Sequence, residues 1–311
     1  MSYFAALVAS CVLVAAAPLL VRFSPVDPTA TLWLRMVLAT GVLIAITPAR
    51  PAKAEPLRGR DYVLLVAAGL LSVGDMVANH WAAVETTVAN AVLLMNLSPV
   101  FVTFLAILFL RERPSMGQLA GYGVTISGAA LMTGISFEGW RLGPGEGLAL
   151  LSAFLYAAYF LVVKDLRRRV SATAIMLWTS GIAAAALAPV AIGTSDPLLP
   201  AAILGWLPIV AMALGVQIGG HGLMAYAMHG LPASYASATA LARPVLAAAA
   251  AWLLFGEAMG PWQMAGAVLV LGGLALAARI PLDSRHAPTE RIPAPPLPVR
   301  TLPAARPGRS A

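Results

Sequence analysis

The chain has 311 residues, of which 60% are hydrophobic and 11% charged, and its mean hydropathy is +0.84. Soluble domains reach about 45–50% apolar with glycine included, so this composition excludes a disordered chain and argues against a soluble enzyme; the apolar runs are too long and too continuous for a β-barrel. The net charge of +7 is first a topology signal in such a chain, and the single cysteine, Cys11, excludes an internal disulfide.

A helix crosses the bilayer core in about 20 apolar residues. The first such run is 1–21; Ala15-Ala16-Ala17 resembles a cleavage site, but no basic residue precedes the run, so it is read as a retained helix. The next crossings are 31–48, which contains Arg35, and 61–84, which contains Asp75, Asn79 and His80. Then come 86–110 with Pro99, 114–137, 147–163 with Tyr156 and Tyr159, and 170–195. The stretch 197–242 carries no Asp, Glu, Lys or Arg and is too long for one crossing. Gly230-Leu231-Pro232 divides it into 203–226, with Gln217 and His221, and 233–255, with Arg243 and Pro244. The last run is 258–278. Residues 280–311 are rich in proline and arginine and read as a disordered cytosolic tail.

Lys and Arg orient the chain. With a cytosolic N-terminus, the basic residues of 49–60, 111–113, 164–169 and the tail all fall inside, and only Arg22 and Arg141 lie in outside loops. An even number of crossings with both termini inside agrees with that split.

The sequence also overlays itself at a shift of 145 residues. Trp33 falls on Trp178, Pro99-Val100 on Pro244-Val245, Glu112 on Glu257, Gln118 on Gln263, Ala120-Gly121 on Ala265-Gly266 and Gly128 on Gly273. Each copy holds five crossings, an odd number, so the second enters the membrane upside down. The expected fold class is an all-α polytopic membrane protein with ten transmembrane helices as two inverted five-helix repeats. Its expected parts are 1–135, 144–279 and the tail 280–311. Inverted repeats expose a site at their interface alternately to the two sides.

On Leu97-Ser98-Pro99-Val100-Phe101, Leu110-Arg111-Glu112-Arg113 and Gln118-Leu119-Ala120-Gly121, with their second-half matches Arg243-Pro244-Val245, Phe255-Gly256-Glu257 and Gln263-Met264-Ala265-Gly266, each half resembles the EamA domain of the drug/metabolite transporter superfamily. The resemblance covers residues 3–279. It implies a two-repeat basket with a central cavity and cytosolic termini. The family exports amino acids, sugars and other metabolites and imports some vitamins and metabolites.

Several residues are candidates for a substrate cavity. Arg243 lies mid-span, where its repeat counterpart is Ser98. An arginine there costs roughly 2.5–3.5 kcal/mol to insert, so it needs a cavity or a partner. Asp75 lies at a similar depth and is either that partner or the carrier of a coupling proton; the reading favours Asp75 as the resting partner of Arg243. Asn79 is one turn further on, and Gln217 and His221 share a face. Tyr156 and Tyr159 offer aromatic walls or packing, and Gly215-x-x-x-Gly219 offers close helix approach. Pro99 and Pro244, matched in the two halves, are hinges or packing kinks. Glu112 and Glu257 read as structural, bonding backbone at a helix end.

No metal, phosphate-loop or hydrolase motif is present in the sequence, so no cofactor, no metal and no enzymatic activity are expected. Asp75, His80 and Arg243 would be the polar set of a membrane-embedded enzyme, but they lack catalytic spacing. The expected function is secondary transport of a small metabolite, amino-acid-like or otherwise polar or anionic, by alternating access at the cytoplasmic membrane, in the direction of efflux; uptake is the alternative. The expected partners are a small-molecule substrate and membrane lipid, with a homodimer allowed and nucleic acid excluded.

Overall fold

In the computed structural model of the chain, the described residues are 1–47, 57–86, 91, 94–132, 143–256 and 260–279. Among them there are helices and no strands. In chain order they are α1 (Tyr3–Ala15), α2 (Ala17–Arg22), α3 (Pro28–Ile46), α4 (Gly59–Glu85), α5 (Ser98–Leu105), α6 (Met116–Met132) and α7 (Pro144–Leu166). They continue with α8 (Ala172–Thr194), α9 (Trp206–Ala211), α10 (Gly222–Ala227), α11 (Ala233–Ala240), α12 (Ala242–Phe255) and α13 (Pro261–Arg279). Wider π-helical turns continue α5 over Ala106–Leu110 and join α9 to α10 over Met212–His221.

Local sequence explains the helix ends. Asp27 caps α3, its Oδ1 accepting from the Thr29 and Ala30 amides at 2.8 and 3.1 Å, with Pro28 as the first helical residue. Ser171 caps α8 by accepting from the Ala174 amide. Ser115 and Gln118 form a reciprocal capping box at α6, at 2.9 and 3.2 Å. Gln263, the repeat counterpart of Gln118, accepts from the Gly260 amide at 3.0 Å before α13. The preceding turns match too: Arg111 and Gly256, 145 residues apart, both adopt the left-handed conformation, with φ of 56° and 69°. The conserved spacing of the two halves is therefore, in part, a repeated turn and cap.

Among the described residues, seven helical stretches are long and apolar enough to cross a membrane: Tyr3–Arg22, Pro28–Ile46, Gly59–Asn79, Pro144–Leu166, Ala172–Thr194, Ile203–Ala227 and Ala233–Leu254. The expected crossings 86–110, 114–137 and 258–278 fall partly outside the described residues; their described parts include Ser98–Leu110, Met116–Met132 and Pro261–Arg279. Phe104, Leu108, Phe109, Leu253, Leu254 and Val268 are exposed. An outer surface of this kind suits lipid rather than water.

Packing is densest where small residues let backbones meet. α6 and α13 approach through Gly121, Gly128, Gly266 and Gly273. A methyl group on Gly121 would stand 2.8 Å from the Gly273 carbonyl oxygen, and one on Gly128 2.7 Å from that of Gly266. The order of contacts reverses between the two helices, Gly121 meeting Gly273 and Gly128 meeting Gly266, so they run antiparallel. Elsewhere α4 packs on α7 and α8, α3 on α8, and α5 on α7, while α1 packs on the Met212–His221 stretch and on α10 and α12. Under the 145-residue shift, α4·α7 exchanges with the contacts of α1 and the Met212–His221 stretch, α5·α7 exchanges with α1·α12, and α3·α8 and α6·α13 return to themselves.

The two expected hinge prolines both sit where a helix restarts. Pro99 is in the first turn of α5, just after the turn at Asn96-Leu97, and Pro244 is in the first turn of α12, just after the break at Leu241. A proline lacks the N–H that an interior position would need, so the helix tolerates it best there. The first crossing is broken in the same way at Ala16, ahead of Pro18.

Candidate functional site

The break between α11 and α12 brings Arg243 into the interior, facing α1 and α7. Its Nη1 donates to the Tyr156 hydroxyl of α7 at 3.2 Å. Cys11 of α1, 2% exposed, lies beside the same guanidinium, and its thiol donates to the Thr239 carbonyl at 3.5 Å. Cys11 and Tyr156 are themselves 145 residues apart, so equivalent positions of the two halves flank one arginine. The Arg243 Nε and Nη2 are sealed from solvent and have no hydrogen-bond partner among the described residues. Unpaired buried donors of a charged group are expensive.

Around this centre α7 presents Ser152, Tyr156 and Tyr159 on one face. The Ser152 hydroxyl donates to Asp75 Oδ1 of α4 at 2.6 Å. Asp75 therefore does not form the expected ion pair with Arg243; among the described residues each is held by a different hydroxyl of α7. Counting residues gives the height of the two charges but not their direction around the helix axes, and each meets a hydroxyl of α7 instead. Tyr159 is within electrostatic reach of both charges. The Tyr156 ring packs against Phe160 with centroids 4.7 Å apart and lies 6.3 Å from Tyr159.

His221, at the end of the π-helical stretch, is within electrostatic reach of Arg243 and of Arg35 on α3. The Arg35 Nε is likewise buried without a hydrogen-bond partner among the described residues. Gln217 lies apart from the arginine: its Nε2 donates to Ser180 of α8 at 3.1 Å, and its Oε1 is buried and unpaired. Asn79 is half-buried one turn beyond Asp75 and makes no hydrogen bond among the described residues. The His80 side chain and Glu257 lie outside the described residues.

Half of the expected glycine contact of this region forms. A methyl group on Gly219 would stand 3.1 Å from the Leu13 side chain of α1, one on Gly215 would meet nothing within 4 Å, and the tightest approach falls on Gly220, 2.6 Å from the Val14 side chain. The π-helical winding of Met212–His221 explains the shift, since a wider turn rotates later residues away from the face that an α-helical period assigns.

Other charged residues build the frame. Glu112 accepts from the Ala233 and Ser234 amides at 2.7 and 3.2 Å and from the Ser234 hydroxyl at 2.7 Å, capping α11; its structural reading holds. Lys164 Nζ donates to the Met228 and Leu231 carbonyls at 2.7 and 2.6 Å, and Arg167 Nε to the Ala225 carbonyl at 2.8 Å, closing the C-terminal end of α10. Burial pushes the Arg167 guanidinium below its ordinary pKa.

Sequence reasoning missed Cys11, Ser152 and Ser180. Cys11 was findable as the repeat counterpart of Tyr156; the two serines carried no signal that distinguishes them from packing residues. Among the described residues no group of His, Cys, Asp and Glu is clustered to hold a metal.

Residues 1–134 and 143–279 match the EamA-like transporter family. A probable terminal-alkyne amino-acid exporter of Streptantibioticus cattleyicolor is 28% identical over 266 residues, covering 83% of this chain and 86% of that protein. An uncharacterized transporter of Archaeoglobus fulgidus is 28% identical over 204 residues, covering 65% and 72%. A protein of known crystal structure has the same fold, with a TM-score of 0.75 over 89% of this chain and 96% of the other at 19% identity.

Proposed function

The chain belongs to the EamA-like transporter family, a multi-pass membrane transporter family, and from that premise we propose that it is a secondary transporter exporting a small carboxylate-bearing metabolite across the cytoplasmic membrane by alternating access. The observation that carries the reading is the Arg243 guanidinium, with Nε and Nη2 buried and unpartnered between Cys11 and Tyr156. Intramembrane charge of this kind is expensive unless a ligand uses it. A planar guanidinium receives a carboxylate through two parallel bonds, which suits the two free donors. The export direction draws on the likeness to the amino-acid exporter.

The scaffold in this reading is two inverted repeats of five helices, ten crossings in all, with both termini cytosolic. Exchange of the inter-helix contacts under the 145-residue shift is what a two-fold axis produces, and the antiparallel α6–α13 pair suits two halves of opposite orientation. A site flanked by equivalent residues of both halves lies near that axis, where each half can open it to one side in turn. The orientation follows the positive-inside bias of the loops.

Cys11 is the only cysteine of the sequence, so it reports on the site without engineering. In proteoliposomes holding the full chain, its alkylation by N-ethylmaleimide measures opening of the site. Comparing intracellular and extracellular metabolites of overexpressing and deletion strains should show a solute exported by the wild type and not by Arg243→Ala, and that solute should slow alkylation of wild-type Cys11. An Arg243→Ala strain that exports as the wild type does would overturn the assignment.

A further inference from the structure

A groove on the outside of the bundle takes no part in the site around Arg243. It holds about 490 Å³ between the end of α3, the first turns of α8, and the crossing made by the Met212–His221 stretch and α10. None of Arg243, Tyr156 and His221 lines it. Ile46 and Ser171 in its lining are exposed, so it opens on the surface of the bundle. Further along the same crossing Leu207, Val210 and Leu214 are exposed as well. In a multi-pass membrane protein such a surface meets lipid.

The sequence opens the groove by leaving side chains out. Gly219 and Gly222 both line it. A methyl group on Gly222 would meet nothing closer than Met176 Cγ, at 3.8 Å, so this glycine leaves room rather than letting another backbone close in. Leu43, Met176, Ile218 and Leu223 complete an apolar interior. Residue counting places the polar groups at one end. Met176 is one turn inside α8 and Ile218 lies about two turns before Tyr226, whereas Arg167 and Ser171 precede α8.

Arg167 gives that end its charge. Its Nε and Nη1 donate to the Ala225 and Val170 carbonyls, and its Nη2 makes no hydrogen bond among the described residues. The neighbouring arginines have carboxylates. Arg60 and Arg168 reach Asp165 at 2.9 and 3.7 Å, and Arg169 reaches Asp61 at 3.7 Å. Arg167 has no carboxylate within 4 Å among the described residues. Residues 164–169 carry four cations against one carboxylate. A headgroup that brings its own cation meets repulsion there, and a net-negative headgroup does not.

We propose that this groove binds one anionic phospholipid, with its phosphate on Arg167 and one acyl chain along Gly219 and Gly222. A long amphipathic molecule matches a groove that is apolar inside and cationic at its end. A small polar metabolite would leave its polar groups unpaired in the interior. The site is separate from the one around Arg243 and independent of the cargo assigned there.

Native mass spectrometry of the full chain in an uncharged detergent tests the assignment, with palmitoyl-oleoyl phosphatidylglycerol and palmitoyl-oleoyl phosphatidylcholine as probes. The wild type should retain a first phosphatidylglycerol at about tenfold lower lipid concentration than phosphatidylcholine, the gain expected from one charge-assisted contact. Arg167→Gln should bring the two lipids to equal retention. Arg167 also bonds the end of α10, so Gly222→Leu tests the groove without touching it, by placing a side chain where the acyl chain would lie. That variant should lose the first phosphatidylglycerol. Gly272→Leu on α13, where a methyl group meets nothing within 4 Å, should keep it. Equal retention of the two lipids by the wild type would mean a general lipid annulus and overturns the proposal, whichever variants fold. A Gly222→Leu protein that retains phosphatidylglycerol as the wild type does overturns it too. So does displacement of the lipid by millimolar inorganic phosphate, which would make this a site for the free ion. The export comparison of Arg243→Ala with wild type judges the transport reading separately.

Discussion

Replacing Gly121 by alanine tests the tightest contact of the fold. The new methyl group would stand 2.8 Å from the Gly273 carbonyl oxygen and 2.9 Å from the Ala277 amide nitrogen. Both are backbone atoms of α13, so relief requires the helices to part. Overpacking of this kind costs about 1–3 kcal/mol, while alanine in place of a helical glycine returns about 0.5–1 kcal/mol. The net expectation is a loss of roughly 1–2 kcal/mol by the same two effects. The matched controls are Gly123→Ala on α6 and Gly272→Ala on α13, where a methyl group meets nothing within 4 Å; they should hold or gain stability by up to about 1 kcal/mol. Unfolding of the purified protein in mixed micelles with rising SDS fraction gives the ranking. Because Gly121 and Gly273 face each other, the double change should cost less than the sum of the two single ones, since helices already parted have room for the second methyl group. Equal stability of Gly121→Ala and Gly123→Ala would refute the close antiparallel contact.

Two further outcomes follow from the turns before α6 and α11. Glu112→Gln keeps the side chain's shape but replaces a carboxylate that accepts from two amides and a hydroxyl; a loss of about 1–2 kcal/mol in the same unfolding assay is expected, and no change would remove its capping role. Arg111→Gly should stabilise by up to about 1 kcal/mol, because Arg111 holds φ at 56°, where a side chain is strained and its counterpart is already Gly256; a destabilised variant would show that the arginine side chain contributes more than its backbone costs.

Length, apolar runs and caps made the helices legible, because insertion into lipid leaves the backbone few other solutions. The Ser115-Met116-Gly117-Gln118 cap could be read as a box directly, and the repeat carried it to Gln263. The candidate site was legible as a set of expensive residues, which singled out Arg243, Asp75 and Tyr156. Their pairing was not legible. Axial depth follows from counting residues, but direction around an axis depends on neighbouring helices, and Ser152 and Tyr156 intercept the two charges from α7. The Gly215 contact failed for a related reason: an α-helical period was applied to residues wound as a π-helix, and Gly220 took the tightest approach to α1 instead.

The 145-residue repeat governs the frame and stops at the charges. Arg243 faces Ser98 across the repeat, Arg35 matches Ser180, and Asp75 matches Gly220. Two identical chains related by a true dyad would place each of these ions in the membrane twice, four arginines and two aspartates, at roughly 2.5–3.5 kcal/mol for each additional ion. Joining the halves in one polypeptide lets one copy of every pair become neutral. Duplicated architecture is what permits a polarised centre: Cys11 and Tyr156, equivalent positions of the two halves, flank a guanidinium that one half alone supplies.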